Sequence, residues 1–259
     1  MYRLWPDPDP TPLDEDALTA LYTPTDRGRP WLRANFVSSL DGAATLAGFS
    51  EGLSNPDDKR VFGLLRMLCD ALVVGAGTLR NEGYRAVRLS PERRRWRLAH
   101  GLAEYPTLVV VSARLALDPA QPALADAPVR PIIVTHPDAD PGPLRKVADV
   151  IAFGSGAEAV DPHGAIDPQD AVDLRGAMGE LHARGLRQIL SEGGPRLFGS
   201  LTAADLVDEL CLTVSPLLTG PGAGRITDGP LVAAPRRLAL RHVLSASNML
   251  LLRYSRYSR

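Results

Sequence analysis

The residues best able to do chemistry gather where apolar runs stop. Ala71-Leu72-Val73-Val74 empties into Gly75-Ala76-Gly77-Thr78-Leu79-Arg80, a buried strand followed by two glycines and a threonine. Glycine there permits tight turning and close backbone approach, and N–H groups at a following helix start can hold a phosphate. Arg80 stands where the dinucleotide fingerprint GxGxxG needs its third glycine, so this is not a standard Rossmann loop. From these residues alone two readings stay open for Gly75, Gly77 and Thr78: a phosphate cradle, or a tight strand-to-helix connection. A second turn, Ser191-Glu192-Gly193-Gly194-Pro195, follows the buried pair Ile189-Leu190. Two such turns on one sheet edge would grip both ends of a pyrophosphate. Pro195 suits a helix start, whereas Glu192 would repel phosphate and is expected to face a substrate or backbone donors.

Further polar groups sit at other element ends. Val109-Val110-Val111 leads to Ser112 and Arg114, a hydroxyl and a guanidinium fork suited to a ribose 2′-phosphate; an ordinary surface arginine is the other reading. The first strand offers Asn35, Ser39 and Asp41 to the same rim, and Asp41 equally fits a turn before Gly42. Asn55-Pro56-Asp57-Asp58 opens a helix, where the dipole accounts for one of the two acids. Asp58 is four residues before Phe62 and shares its face, which puts a carboxylate beside an aromatic ring. A planar aminopyrimidine or pteridine fits that description.

These groups need a scaffold that brings strand ends together. Leu32–Ser38 and Ala71–Val74 read as strands around a helix over Pro56–Leu68, a β-α-β unit. Apolar runs at Leu108–Val111, Ile132–Val134, Val150–Phe153, Ile189–Leu190 and Leu210–Val214 alternate with helical stretches near 141–148, 168–184 and 195–203. Such alternation predicts an α/β fold with a mostly parallel central sheet. Strands at about 237–244 and 249–256 predict a C-terminal antiparallel hairpin closing one edge. Residues 1–30, with six prolines between Pro6 and Pro30, are expected to form an N-terminal arm without regular sheet or long helix, and 31–259 a single domain. The segment Arg80–Tyr105, carrying Arg93-Arg94-Arg95-Trp96-Arg97, is expected to be a solvated arginine-rich helical insertion, with a lid or an anion contact as the alternative.

Composition narrows the function. The 259 residues carry a net charge of −1, which gives no general electrostatic reason to bind nucleic acid or an anionic membrane. The amino terminus lacks an apolar signal core and no window approaches the ~18 apolar residues of a membrane span. A cytoplasmic location is expected. The two cysteines, Cys69 and Cys211, are flanked by apolar residues and read as buried thiols in a reducing compartment, with a disulfide between them as the lesser alternative. Five scattered histidines and no CxxC predict no metal site. Lys59 and Lys146 are the only lysines, a poor supply for Schiff-base chemistry.

Taken in order, Ser38-Ser39-Leu40-Asp41-Gly42, Asp70–Thr78, Ser191–Pro195 and Leu206-Val207-Asp208-Glu209-Leu210 resemble the reductase domain of the bacterial riboflavin-biosynthesis deaminase-reductases, stand-alone actinobacterial type, and through it the dihydrofolate reductase superfamily. The resemblance runs from about Trp31 to the C-terminus. It implies a dihydrofolate reductase-like three-layer α/β/α fold, NADPH as cofactor, a homodimer, and hydride transfer to 5-amino-6-(5-phosphoribosylamino)uracil. By the same resemblance Gly75, Gly77, Thr78, Gly193 and Gly194 flank the cofactor phosphates, and Ser112 and Arg114 read the 2′-phosphate. Asn35, Ser39, Asp41 and Phe62 line the substrate side, and Asp58 is selected over Asp57 as the acid that meets the ring, with Glu192 as a second catalytic candidate. The zinc-dependent deaminase signature is absent. After Thr78 the family's usual Asp-Pro element is replaced by Asn81-Glu82-Gly83-Tyr84-Arg85-Ala86-Val87-Arg88, which leaves Arg88 as the expected substrate-phosphate ligand. Dihydrofolate or dihydropterin reduction on the same fold, and a non-catalytic NADPH-binding sensor module, are the alternatives.

Overall fold

Alternation along each strand decides which layer its side chains join. The computed structural model describes residues 1–154, 172–229, 231–232 and 234–257. In chain order these form β1 (Tyr2–Trp5), α1 (Glu15–Tyr22), β2 (Trp31–Ser39), α2 (Pro56–Leu68), β3 (Ala71–Gly75), α3 (Ala76–Asn81), α4 (Pro91–Ala99), β4 (Thr107–Val111) and α5 (Pro122–Ala125). There follow β5 (Ile132–Thr135), β6 (Asp149–Ala152), α6 (Leu174–Ala183), β7 (Gln188–Ser191), α7 (Pro195–Ala203), β8 (Glu209–Ser215), β9 (Ala239–Ala246) and β10 (Met249–Ser255). The strands make one sheet in the order β1-β9-β10-β8-β2-β7-β3-β4-β5-β6. From β8 to β6 every pairing is parallel, while β10, β9 and β1 add antiparallel strands at one end.

Leu72, Val74, Leu108 and Val110 point to one face, where they pack with Leu64, Leu65 and Leu68 of α2 and with Leu18 and Tyr22 of α1. Their neighbours Ala71, Val73, Val109 and Val111 point to the other, against Leu174, Ala177 and Leu181 of α6 and Leu197 and Leu201 of α7. Period-two side chains thus supply both cores of a three-layer α/β/α stack. The expected α/β fold with a mostly parallel sheet and a C-terminal antiparallel hairpin is the fold observed.

Four local expectations need correction. Residues 1–30 are not irregular: β1 pairs with β9, and α1, capped by the Asp14 side chain, buries Leu18 and Tyr22. The prolines lie outside both elements, so they bound a strand and a helix instead of forbidding them. As a result β1, not the C-terminal hairpin, is the outermost strand at that end of the sheet. The stretch near 141–148 forms only a 3-10 turn over Gly142–Lys146, since Pro141, Gly142 and Pro143 oppose an α-helix. The arginine-rich segment is helical, but Arg97 is only 1% exposed; it donates to the carbonyls of Ala103, Met67 and Cys69 and so closes the end of α2. Part of the expected helix at 168–184 and His163 lie outside the described residues; the described part of that helix is α6.

Both cysteines are free and buried, and burial pushes each thiol up to about 12. Among the described residues there is no cluster that could hold a metal, and no helix long and apolar enough to cross a membrane.

Candidate active site

The two glycine turns meet. β7 lies beside β3 in the sheet, so their carboxyl ends open side by side, the place where open parallel sheets collect ligands. Gly75 N–H donates to Gly193 O at 2.8 Å, and Glu192 N–H to Val73 O at 3.1 Å. A Cβ on Gly194 would lie 2.5 Å from Thr78 Oγ1, and Gly193 has φ +91° with the Phe36 ring 3.0 Å from where its Cβ would be. Gly193 needs its positive φ, and at Gly194 a side chain would have to displace the Thr78 hydroxyl.

A cleft of about 480 Å³ opens over this junction, lined by Gly75, Gly77, Thr78, Gly194, Ser112 and Arg114, with Arg80 and Arg196 at its walls. The expected cofactor residues therefore converge, Gly193 contributing through the backbone bond beneath. The side chains of Asp14, Asn55, Ser90 and Asp173 cap α1, α2, α4 and α6. α7, behind Gly194, and α3, behind Gly75, have no side-chain cap, as is also true of the four-residue α5; no side chain competes for the first-turn N–H groups that face the cleft, Pro195 having none. The residues fit a dinucleotide's phosphates.

A second cavity, of about 430 Å³, adjoins the first and shares Thr45, Thr78, Glu82, Gly194 and Pro195 with it. Asn35, Asp58, Phe62 and Glu192 line it as the sequence suggested. The two acids of α2 have separate fates. Asp57 accepts from Ser247 Oγ at 2.7 Å outside the cavity, while Asp58 is 7% exposed within it. Ser54 Oγ donates to Asp58 Oδ2 at 2.5 Å, and Oδ1 accepts from no described residue. Glu192 accepts from Arg66 Nε at 2.7 Å and Nη2 at 2.6 Å, and from the Tyr84 hydroxyl at 2.5 Å. Burial disfavours the Arg66 cation, but the Glu192 charge outweighs it and raises its proton affinity. Burial and then Glu192 push the Tyr84 phenol well up, which keeps it a donor. The Arg66 guanidinium lies 4.2 Å over the Phe62 ring.

Three expected substrate residues do not reach this cavity. Ser39 and Asp41 form a loop clasp: the Ser39 hydroxyl donates to Asp41, whose carboxylate also accepts from Thr219 N at 3.0 Å and Gly220 N at 2.8 Å. That hydroxyl first, then the two N–H groups, hold the Asp41 carboxyl well below the usual range. The Asp-Gly turn reading explains this better than substrate contact. Arg88 points away and donates to the Asp126 carbonyl at 3.0 Å. Besides Arg66, which is paired with Glu192, Lys59 and Arg85 line the cavity, Lys59 lying 3.3 Å from Glu51 Oε1. Arg66 was legible in principle, since Asp58, Phe62 and Arg66 recur at four-residue spacing on one face of α2. No sequence signal singled out Tyr84.

The profile of the RibD C-terminal domain matches residues 30–252. The chain belongs to the RibD C-terminal domain family. It is 29% identical over 195 residues to the 2,5-diamino-6-ribosylamino-4(3H)-pyrimidinone 5′-phosphate reductase of Archaeoglobus fulgidus, covering 74% of this chain and 83% of the relative. The protein of the same description from Methanothermobacter thermautotrophicus is 27% identical over 233 residues, 88% of this chain and 98% of the relative. Among solved structures, the pyrimidine reductase-like protein of Corynebacterium diphtheriae superposes with a TM-score of 0.77 at 27% identity, covering 93% of this chain and 99% of that one. The RibD C-terminal domain frame thus spans both cavities; only the first 29 residues and the last few lie outside the match.

Proposed function

We propose that this chain is an NADPH-dependent reductase of the riboflavin pathway whose substrate is 2,5-diamino-6-ribosylamino-4(3H)-pyrimidinone 5′-phosphate, the compound in its archaeal relatives' names. The observation that carries this reading is the pair of adjoining cavities, one walled by glycine turns and uncapped helix starts, the other by a buried carboxylate. NADPH bound in the first cleft supplies a hydride. Everything else falls to the chain's own residues. Gly75, Gly77, Thr78 and Gly194 hold the pyrophosphate against backbone N–H groups, and Ser112 and Arg114 take the 2′-phosphate that distinguishes NADPH from NADH. Thr78, Gly194 and Pro195, common to both cavities, set the two ligands in contact.

Asp58 reads the ring. A 2-amino-4-oxopyrimidine presents two adjacent N–H donors, which a carboxylate accepts together. The 2-oxo congener, 5-amino-6-(5-phosphoribosylamino)uracil, sets a carbonyl oxygen against Asp58 and is the poorer substrate of the same class. Lys59 and Arg85 meet the substrate phosphate. A dihydropterin carries the same 2-amino-4-oxo edge, so Asp58 beside Phe62 also supports dihydrofolate as a second substrate. A cytoplasmic homodimer belongs to this reading, with light scattering as its check.

The test offers purified protein and NADPH each of the three compounds, follows nicotinamide absorbance, and identifies product by mass. Gain of two hydrogens by the diaminopyrimidinone supports the proposal. NADPH binding with no oxidation by any of them would return the protein to the sensor reading.

A further inference from the structure

We propose that Tyr84 is a positioning residue that fixes the Glu192 carboxylate so that Oε1 presents its open acceptor to the substrate, an inference that rests on the function proposed above. A carboxylate offers about four acceptor sites. Arg66 Nε takes one on Oε1, while Arg66 Nη2 and the Tyr84 hydroxyl both bind Oε2. The unfilled site is therefore on Oε1, and Glu192 lines the cavity. Arg66 alone does not set this orientation, because a bidentate pair can swing as a unit with its two side chains. The bond from Tyr84 comes from a different element, the loop after α3, and ties the pair to a third point.

Nothing in this arrangement is local. Tyr84 and Glu192 are 108 positions apart, and Arg66 and Glu192 are 126. Arg66 lies between the two rings, 4.2 Å from the Phe62 centroid and 5.5 Å from that of Tyr84, so the aromatic walls also fix the guanidinium. Tyr84 falls in the stretch where this chain departs from its family's Asp-Pro pattern. The same loop carries Glu82, which accepts from the Ser50 N–H and hydroxyl at 3.2 Å each and holds the opposite rim of the cavity.

The test uses Tyr84→Phe, Glu192→Gln and the double variant in the full chain. Tyrosinate absorbance against pH needs no substrate. Of the six tyrosines, Tyr22 and Tyr84 are held back by burial; Tyr84→Phe removes one late ionisation, and Glu192→Gln brings that same one to lower pH while Tyr22 stays put. In kinetics, losing a bond to a charged acceptor lowers kcat/KM for the pyrimidine by about tenfold to a hundredfold in Tyr84→Phe. The KM for NADPH is unchanged. Because Tyr84 acts through Glu192, the same substitution in a Glu192→Gln background costs less than about twofold. Losses that multiply, or a Tyr84 ionisation indifferent to Glu192→Gln, would overturn the proposal. A wild type that oxidises NADPH with no pyrimidine defeats the functional reading, and Tyr84's role toward that substrate with it, whatever the titration shows.

Discussion

Two clusters in this molecule are built from the same three residue types. At the cavity, Arg66 and Tyr84 bind Glu192. In the opposite part of the sheet, Glu209 at the start of β8 is paired with Arg33 of β2 and Arg253 of β10, with the Tyr22 ring 6.0 Å from each guanidinium. The second cluster is sealed: the Glu209 side chain is 0% exposed, and Trp31 Nε1 supplies a further donor at 3.3 Å. Arg33 also donates to the Tyr22 carbonyl and Arg253 to that of Leu21, so the cluster ties α1 to the sheet. Identical chemistry therefore serves two ends. Both carboxylates are buried, with side chains 0% exposed at Glu209 and 2% at Glu192, but only Glu192 lines a cavity; Glu209 holds an element in place, and the function proposed above gives Glu192 a ligand.

Substitution should separate the two. Glu209→Gln leaves the buried Arg33 and the partly buried Arg253 without a counter-charge and is expected to cost about 3–5 kcal/mol in urea unfolding. Glu192→Gln leaves one guanidinium, the partly exposed Arg66, without its counter-charge and should cost less stability and far more activity. If both variants lose stability equally, the distinction fails.

Acid titration sharpens the same contrast. His242 is buried against the Tyr22 ring with its Nε2 unpartnered, and burial, then Arg253, lowers it to about 4. Its folded pKa lies below the unfolded value, so the unfolded chain takes up the proton first. Stability is then lost as pH falls from about 6.5 toward 4, by up to about 3 kcal/mol. Burial raises the Glu209 proton affinity, but Arg33 and Arg253 outweigh it and bring the carboxyl to about 2. That contribution is intact above the unfolded value near 4.5 and disappears between there and about 2. His242→Phe should flatten the upper part of the acid unfolding curve and leave the lower part. A curve unchanged by this substitution would contradict the burial of a neutral imidazole.

Smaller effects test the substrate cavity. Arg85→Ala should raise the KM for the phosphorylated pyrimidine about tenfold, the loss of one exposed charge-assisted contact. Arg88→Ala should change that KM less than about twofold, and stability by less than about 0.5 kcal/mol, as expected of a surface residue bonded to a carbonyl. The reverse order would restore Arg88 as the phosphate ligand.

The glycine-walled cleft was legible in the sequence because it is built from backbone and contiguous residues. Each wall is one contiguous stretch, an apolar run into Gly75-Ala76-Gly77-Thr78 and another into Gly193-Gly194, and the parallel sheet brings the two ends together. α2 was legible for the same reason: Asn55 caps it and Pro56 begins it. The second cavity was legible only in part. Asp58 and Phe62 share a helix face, but the Arg66–Glu192–Tyr84 cluster needs three elements far apart in sequence, and local pattern carries no trace of which ones meet. Ser39 and Asp41 misled because a turn clasp and a ligand rim use the same residue types. Arg97 misled because a charge run usually faces water, whereas here three carbonyls receive it. β1 and α1 were hidden by prolines that turned out to flank them.

The most direct measurement is the ratio of kcat/KM for the 2,5-diaminopyrimidinone to that for the 2-oxo congener, taken with NADPH in the wild type and in Asp58→Asn. A carboxylate that accepts two N–H groups predicts a ratio above about ten in the wild type, since a buried hydrogen bond to a charged group is worth about 1.5–3 kcal/mol, and its collapse toward one in the variant. Equal rates with both pyrimidines in the wild type, or a ratio unchanged by Asp58→Asn, would contradict the assignment of Asp58 as the group that reads the ring.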